Sequence, residues 1–204
     1  MGQYYLPLIN RNGKITVYSN IVGKKYIGLK LMEHSYWRNG LVGEVVNSLF
    51  YNRARVCWVG DYYDEDNCNQ VNCNDADTVR KIGLAVWGEN REERKKCAIK
   101  HTRTLSDCLL VNHTKKVFIR GNEYYENNKI VEEYEGKKYD YAIHPLPLLT
   151  CTASHSGGSY HSETGAEFIG TWFNDEISVV MCYEESELLS KGFTDITKNV
   201  FFKE

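Results

Sequence analysis

Three short apolar runs in this chain each end in polar residues, and this arrangement constrains the fold more than any other feature. An apolar run that passes directly into a polar loop indicates a rigid element that delivers the loop to the protein surface. Three such ends indicate one shared pocket formed by segments that are distant in sequence. The runs are Gly28–Met32 before Glu33–Ser35, Val56–Gly60 before Asp61–Asp64, and Ala142–Thr150 before the loop Ser154–His161.

Turn signals and hydrophobic spacing predict an α+β fold with a mainly antiparallel sheet. Asn12-Gly13 is a strong hairpin signal, and it joins predicted strands at residues 3–9 and 14–18. Because no internal repeat and no Pro- or Ser-rich linker interrupts the chain, residues 1–204 are predicted to form a single domain. Further strands are predicted at residues 25–32, 55–60, 108–111, 116–120 and 177–182.

About two helices are predicted among these strands. Asn39 is suited to cap a helix over residues 41–51, where apolar side chains recur at helical spacing. Asp75 or Asp77 is suited to cap a second helix that ends near Trp87.

Three other segments are interpreted without a helix. The mixed-charge run at residues 89–100 is most simply a solvated helix face or a loop. Asn127-Asn128 lies between two apolar or aromatic stretches and predicts a hairpin. Pro145 and Pro147 favour an edge or extended strand for the third apolar run.

Charge and composition exclude several kinds of partner. A formal net charge of −2 argues against a stable complex with nucleic acid and against binding to an anionic membrane. No run of roughly 18 apolar residues occurs, so no transmembrane helix is predicted. The first residues lack the basic and apolar regions of a signal peptide. The 7 cysteines are therefore interpreted as reduced thiols in a cytosol.

The familiar catalytic and cofactor motifs are incomplete. Cys68 and Cys73 form the closest cysteine pair and lack the spacing of a structural zinc site. Ser159 lacks the second glycine of a nucleophile elbow. Thr171 stands where a phosphate-binding loop has its lysine. No metal or other cofactor is therefore predicted.

Aromatic side chains lie beside the polar ends of the three runs. Such rings stack on bases, while His, Ser and backbone N–H groups contact phosphate, so the pattern predicts a nucleotide-binding pocket. The glycine-containing loop offers backbone N–H groups that bind anions. The predicted ligand-binding residues are His34, Ser35, Trp37, Trp58, Asp61, Tyr62, His113, His144, Ser156, Gly157 and Gly158.

Distinctive strings are spread over most of the chain. They are Met1–Tyr5, Gly28–Ser35, Trp58–Tyr62, Asn112–Lys116, Ile143–Thr150, Trp172 and the strand from Ile177. These strings resemble a family of small proteins that bacteriophages and mobile elements of gut-type bacteria encode. The resemblance implies a phage-type gene and a bacterial cytosol, and it supplies no catalytic residues.

The main functional hypothesis is an anti-defence binding protein that sequesters a nucleotide-derived immune signal without cleaving it. It rests on the phage-type resemblance, the aromatic residues at the polar ends and the missing catalytic motifs. Sequestration needs only complementarity and slow release. A homo-oligomer is expected, because symmetry repeats a pocket that is built at a subunit interface.

Two alternatives stay open at this point. The first is a hydrolase or transferase that uses His34, Asp61, His113 and His144, since histidine exchanges its proton near neutral pH. The second is a protein–protein inhibitor of a host defence enzyme. Its interface would be the Tyr-rich segment from Tyr124 to Tyr141.

Overall fold

The computed structural model describes residues 4–22, 25–61, 76–87, 94–96, 107–152 and 166–202. Within these ranges, a sheet of nine strands and a separate two-stranded sheet make up the extended structure. The strands are β1 (Tyr5–Arg11), β2 (Lys14–Val22), β3 (Lys25–Ile27), β4 (Ala54–Gly60), β5 (Arg94–Lys96), β6 (Cys108–Asn112), β7 (Val117–Arg120), β8 (Ile130–Tyr134), β9 (Lys137–Tyr141), β10 (Glu176–Met181) and β11 (Thr194–Asp195).

The large sheet is mainly antiparallel. Its strand order is β11-β7-β6-β10-β4-β1-β2-β3, and β5 pairs with β2. Two of the pairings, β2 with β5 and β7 with β11, are parallel, and the others are antiparallel. The predicted sheet type is therefore confirmed for the described residues. The interpretation of residues 89–100 as helix face or loop is wrong for β5, because that strand is set by its pairing with β2 and not by a local pattern.

The first hairpin forms where its turn signal predicts it. Asn12 and Gly13 have positive φ angles of 51° and 86°, as a two-residue hairpin turn requires. Leu8 lies opposite Val17 across the pair. The strands that flank the turn are therefore in the register that buries their apolar residues.

The third strand ends earlier than the sequence predicts. β3 stops at Ile27, and Gly28 packs so closely on β1 that an added Cβ would lie 2.5 Å from the Tyr5 carbonyl oxygen. Leu29 then forms an isolated bridge with Tyr5, and the chain enters the one-turn helix α1 (Leu31–His34). The prediction of strand up to residue 32 is wrong, because contact with a distant residue ends the strand.

The prediction of about two helices is also wrong. Besides α1, the described residues contain five helices of five or more residues. The two predicted helices are present, and Asn39 caps the first by accepting hydrogen bonds from the backbone N–H groups of Leu41 and Val42. The helices are α2 (Gly40–Leu49), α3 (Ala76–Trp87), α4 (Gly121–Asn128), α5 (Pro145–Leu149) and α6 (Glu185–Ser190).

α4 includes Asn127 and Asn128, where the sequence predicts a hairpin turn. Its N-cap residue, Arg120, makes no side-chain capping hydrogen bond and directly ends β7, so no start signal marks this helix. The hairpin forms later in the chain, between β8 and β9. Its turn uses Glu135 and Gly136, which both have positive φ angles.

α5 replaces the extended structure predicted for the two prolines. Pro145 occupies the first helical turn, where a backbone N–H group is not needed. His144 is the N-cap, and all five residues of the helix are buried. The composition of this apolar run therefore predicts a strand, but the run folds as a short buried helix.

The large sheet is buried on both faces, as the alternation along β4 shows. Val56 and Trp58 belong to the largest hydrophobic cluster, which includes residues of α2 and α5. Cys57 and Val59 point the other way and pack with residues of α3. Farther along this second face, Leu188 of α6 packs with residues of β6 and β10. None of the helices that the structure describes is long and apolar enough to span a lipid bilayer.

Candidate ligand-binding site

β4 and β10 pair only through the first two residues of each strand, and the chain after α5 lies along the rest of β4. The Trp58 backbone N–H donates to the Thr150 carbonyl at 2.8 Å, and the Thr152 N–H donates to the Trp58 carbonyl at 2.8 Å. The Gly60 N–H donates to the Thr152 hydroxyl oxygen at 2.9 Å. The end of the third apolar run therefore lies beside the end of the second.

The start of α5 is joined to the end of the first apolar run. The His144 backbone N–H donates to the Ser35 carbonyl at 2.8 Å, and the Trp37 N–H donates to the Ala142 carbonyl at 3.1 Å. Tyr36 and Ile143 form an antiparallel bridge between these bonds. The three apolar runs are thus neighbours, and α5 is the element that contacts both of the others.

The side chain of His144 caps α5 and is neutral. Its Nδ1 atom accepts a hydrogen bond from the Leu146 backbone N–H at 3.1 Å. Because a neutral imidazole carries one proton, an accepting Nδ1 leaves that proton on Nε2. The residue is 1% exposed, and this burial lowers the pKa of His144 to about 3. Nε2 is therefore a hydrogen-bond donor at physiological pH.

The His144 ring packs against Trp37, with ring centroids 4.7 Å apart. Tyr124 and Tyr125 of α4 lie around the same indole, at centroid distances of 6.2 Å and 5.6 Å. Ser35, Trp37, Tyr124, Tyr125 and His144 are called the Trp37–His144 cluster below. In it, His144 Nε2 and Trp37 Nε1 are buried and have no hydrogen-bond partner among the described residues. The cluster thus holds two ring N–H donors for which the described part of the chain supplies no acceptor.

Ser35 and Trp58 differ in whether their side-chain polar atoms have hydrogen-bond partners. The buried Ser35 hydroxyl donates to the Leu31 carbonyl, so it is used within α1. Trp58 is fully buried in β4, and its Nε1 atom, like that of Trp37, has no partner among the described residues. Trp58 therefore adds a third N–H donor that no described residue satisfies, near the opposite end of α5.

His34 and Asp61 occupy positions with different surroundings. His34 is the last residue of α1 and is exposed. Asp61 directly follows β4, and its carboxylate Oδ1 accepts a hydrogen bond from the Tyr4 backbone N–H at 3.1 Å. The Asp61 N–H donates to the Tyr4 carbonyl at 3.0 Å. This exchange gives Asp61 a structural role in joining the beginning of the described chain to β4.

His113 follows β6 and is held by the first residues of β10. Its Nε2 atom lies 2.7 Å from the Ser178 hydroxyl oxygen, and its backbone N–H donates to the Glu176 carbonyl at 2.8 Å. Burial lowers the pKa of His113 to about 4; the positive charge of Arg53 adds to this lowering, and Glu176 opposes it. The ring edge packs on Phe193, with centroids 5.7 Å apart.

The fold separates His113 from Asp61. Asn112, Ile177 and Ala54 lie in one row across three strands, so His113 is level with the beginning of β4, two strands away from it. Asp61 lies directly beyond the end of this seven-residue strand. At about 3.3 Å of rise per residue, the two residues are about 20 Å apart. They do not share one site.

Some of the predicted binding residues are not described by the structure, and some residues of the cluster were not predicted. Tyr62, Ser156, Gly157 and Gly158 lie outside the described residues. Tyr124 and Tyr125 were assigned to a hairpin, so their packing on Trp37 could not be anticipated. Their helix has no capping signal in the sequence, and only the three-dimensional path of β7 brings it to the indole.

The described residues define a mixed α/β protein with a large, mainly antiparallel sheet and a buried aromatic cluster at one end of α5. In the described part of the chain, no group of three or more His, Cys, Asp or Glu side chains is arranged to hold a metal ion. No protein-family model, no curated protein and no solved structure matches this chain.

Proposed function

We propose that this chain is a binding protein that sequesters a nucleotide-derived signalling molecule without cleaving it. The supporting observation is the pair of buried ring N–H donors, Trp37 Nε1 and His144 Nε2, that have no acceptor among the described residues. In keeping with the phage-type resemblance, the molecule would be a host immune signal and the protein would act in a bacterial cytosol, as an anti-defence protein.

The chemistry of the cluster matches oxygen acceptors on a flat ligand. A buried N–H group without a partner costs about 1–3 kcal/mol, and a ligand oxygen that accepts its hydrogen bond removes this cost. Phosphate oxygens and the carbonyl oxygens of bases are such acceptors. The tyrosine and tryptophan faces around the donors favour stacking with a base. A nucleotide offers both features in one molecule.

Retention fits this arrangement better than hydrolysis. The hydrolase or transferase alternative uses His34, Asp61, His113 and His144, and His113 lies about 20 Å from Asp61 along β4. His144 has a pKa lowered to about 3 by burial, so it stays neutral near pH 7 and does not supply a proton. A neutral donor is suited to holding an acceptor oxygen.

The direct test is binding of defined nucleotides to the purified full chain. Cyclic dinucleotides, cyclic trinucleotides and adenine mononucleotides are titrated by calorimetry, and tryptophan emission is followed in parallel. We expect at least one of them to bind and to be recovered chemically unchanged after the protein is denatured. If no member of the panel binds, the proposal is wrong; if a bound nucleotide is recovered as a new product, the hydrolase alternative replaces it.

A pair of histidine variants tests whether the cluster is the site. His144→Asn keeps a side-chain oxygen that can cap α5 and removes the Nε2 donor, so we expect about tenfold weaker binding, a loss of about 1.4 kcal/mol. His113→Asn makes the same change at a ring whose Nε2 is already bonded to Ser178. It should bind with unchanged affinity. Equal losses in both variants would place the ligand elsewhere.

A further inference from the structure

The hairpin of β8 and β9 carries an exposed surface that the other described residues leave uncovered. Within the described residues, these two strands pair only with each other, which leaves the outer edge of each strand without a strand partner there. Val131, Tyr134 and Tyr139 are 58%, 66% and 50% exposed. A two-stranded hairpin is marginally stable by itself, and an unpaired strand edge is a template for another strand.

Side chains sort into two faces on this hairpin. Residues that lie opposite each other point to the same side. The register therefore places on one face the three pairs Ile130 with Tyr141, Glu132 with Tyr139, and Tyr134 with Lys137. This face continues into the body of the protein, where Tyr141 packs edge-on against Tyr36 with ring centroids 5.1 Å apart.

The opposite face is charged along β9. It carries Lys138 and Asp140 on β9, opposite Glu133 and Val131 of β8. The Asp140 carboxylate accepts a hydrogen bond from the Tyr125 hydroxyl at 3.1 Å, which ties this strand to α4. β9 therefore carries Lys137, Tyr139 and Tyr141 on one face and two charges of opposite sign, Lys138 and Asp140, on the other.

We propose that the outer edge of β9 pairs antiparallel with the β9 edge of a second copy of this chain. A two-fold axis at Tyr139 places Lys138 opposite the partner's Asp140 and Asp140 opposite the partner's Lys138. Both charge pairs are attractive, and opposite charges across a strand pair stabilise it. The tyrosine faces of the two hairpins then form one continuous surface.

The other edge of the hairpin does not fit a second copy. β8 has Glu132 and Glu133 at its centre, so a two-fold axis near the middle of β8 brings glutamate opposite glutamate. Like charges directly opposite each other destabilise a strand pair. Charge complementarity therefore selects β9 and a second copy as its occupant. A five-residue strand pair buries little surface, so this dimer is weak and transient.

Sedimentation velocity of the full chain, up to roughly 0.5 mM, tests the proposal. We expect concentration-dependent dimerisation that weakens in high salt. Lys138→Glu and Asp140→Lys each create two repulsive pairs, so each variant should dimerise about tenfold more weakly. Lys137→Glu is the matched control, because it lies opposite the partner's Tyr141 and meets no charge; its dimerisation should match that of the wild type.

Mixing the two variants makes the test independent of their individual folding. A heterodimer of Lys138→Glu with Asp140→Lys restores both attractive pairs, so an equimolar mixture should dimerise about as tightly as the wild type, whereas each variant alone should dimerise about tenfold more weakly. A wild-type chain that stays monomeric over the whole range would overturn the proposal. A mixture that stays monomeric, or variants that dimerise like the wild type, would do the same. These outcomes are independent of nucleotide binding, which the calorimetry tests separately.

Discussion

Two histidines on opposite faces of the large sheet, the half-buried His113 and the buried His144, differ in how their ring nitrogens are satisfied. Burial lowers the pKa of both rings. His113 Nε2 is bonded to the Ser178 hydroxyl, whereas His144 Nε2 has no partner among the described residues. A histidine ring whose nitrogen already has a hydrogen-bond partner contributes only to the fold. A buried donor without an acceptor keeps a free-energy cost that a ligand can remove, so the contrast separates a structural histidine from a candidate binding residue.

The largest expected effect at His144 is the loss of stability in acid. Above a pH of about 6.5, His144 is neutral in both the folded and the unfolded chain. Below it, the unfolded chain takes up a proton that the folded ring refuses until its pKa of about 3, so the free energy of unfolding falls as the pH falls. Between about pH 7.5 and pH 5 this ring alone should cost about 2 kcal/mol. Urea denaturation at both pH values measures the loss.

The His144→Asn variant isolates the contribution of that ring. It removes the titrating group and retains His113, so the acid-dependent loss that His113 contributes is common to both proteins. We expect the variant to lose about 2 kcal/mol less than the wild type over the same pH interval. The comparison uses the change in the free energy of unfolding of each protein between the two pH values. The constant cost of the cavity left by the missing ring therefore cancels. Equal acid-dependent losses would show that His144 is not buried as a neutral ring.

The next effect concerns the hydroxyl that satisfies His113. Ser178→Ala removes the partner of Nε2 and should lower the free energy of unfolding by about 1 kcal/mol. Ser19 provides the matched control, because its buried hydroxyl has no hydrogen-bond partner among the described residues. Ser19→Ala should therefore leave stability unchanged or raise it. If chemical denaturation gives equal losses for the two variants, the His113–Ser178 bond makes no net contribution.

Where local chemistry decides the backbone, the sequence predicts the fold. The positive φ angles of Asn12 and Gly13 and the Asn39 cap of α2 follow from residue types within a few positions. α5 shows the limit. A run with two prolines resembles an extended edge, yet Pro145 fits the first turn of a helix and His144 supplies the cap. The burial of that helix against β4 decides between the two, and burial depends on distant strands.

The candidate site is predicted in part for the same reason. Trp37, His144 and Trp58 could be named because each lies beside an apolar run, and the backbone bonds of α5 join the three runs. Tyr124 and Tyr125 could not, because α4 starts without a cap and reaches Trp37 only through the path of β7. His113 has the same residue type and a similar polar neighbourhood in sequence. Only the strand order and register show that His113 is level with the beginning of β4, far from Asp61 at the end of that strand.

The smallest expected effect compares two tryptophans in nucleotide binding. Trp37→Phe keeps an aromatic face and removes the unpaired Nε1 donor, so binding of a nucleotide identified by calorimetry should weaken about threefold, or about 0.7 kcal/mol, the size of one neutral hydrogen bond. Trp87→Phe removes the same atoms at a ring whose Nε1 already donates to the Val59 carbonyl at 3.0 Å, so its affinity should match that of the wild type. If Trp37→Phe binds as tightly as the wild type, the indole contributes stacking only and His144 alone donates to the ligand. If Trp87→Phe weakens nucleotide binding as much as Trp37→Phe does, the loss of affinity is caused by the removed ring volume. The difference between a paired and an unpaired N–H donor then no longer explains the site.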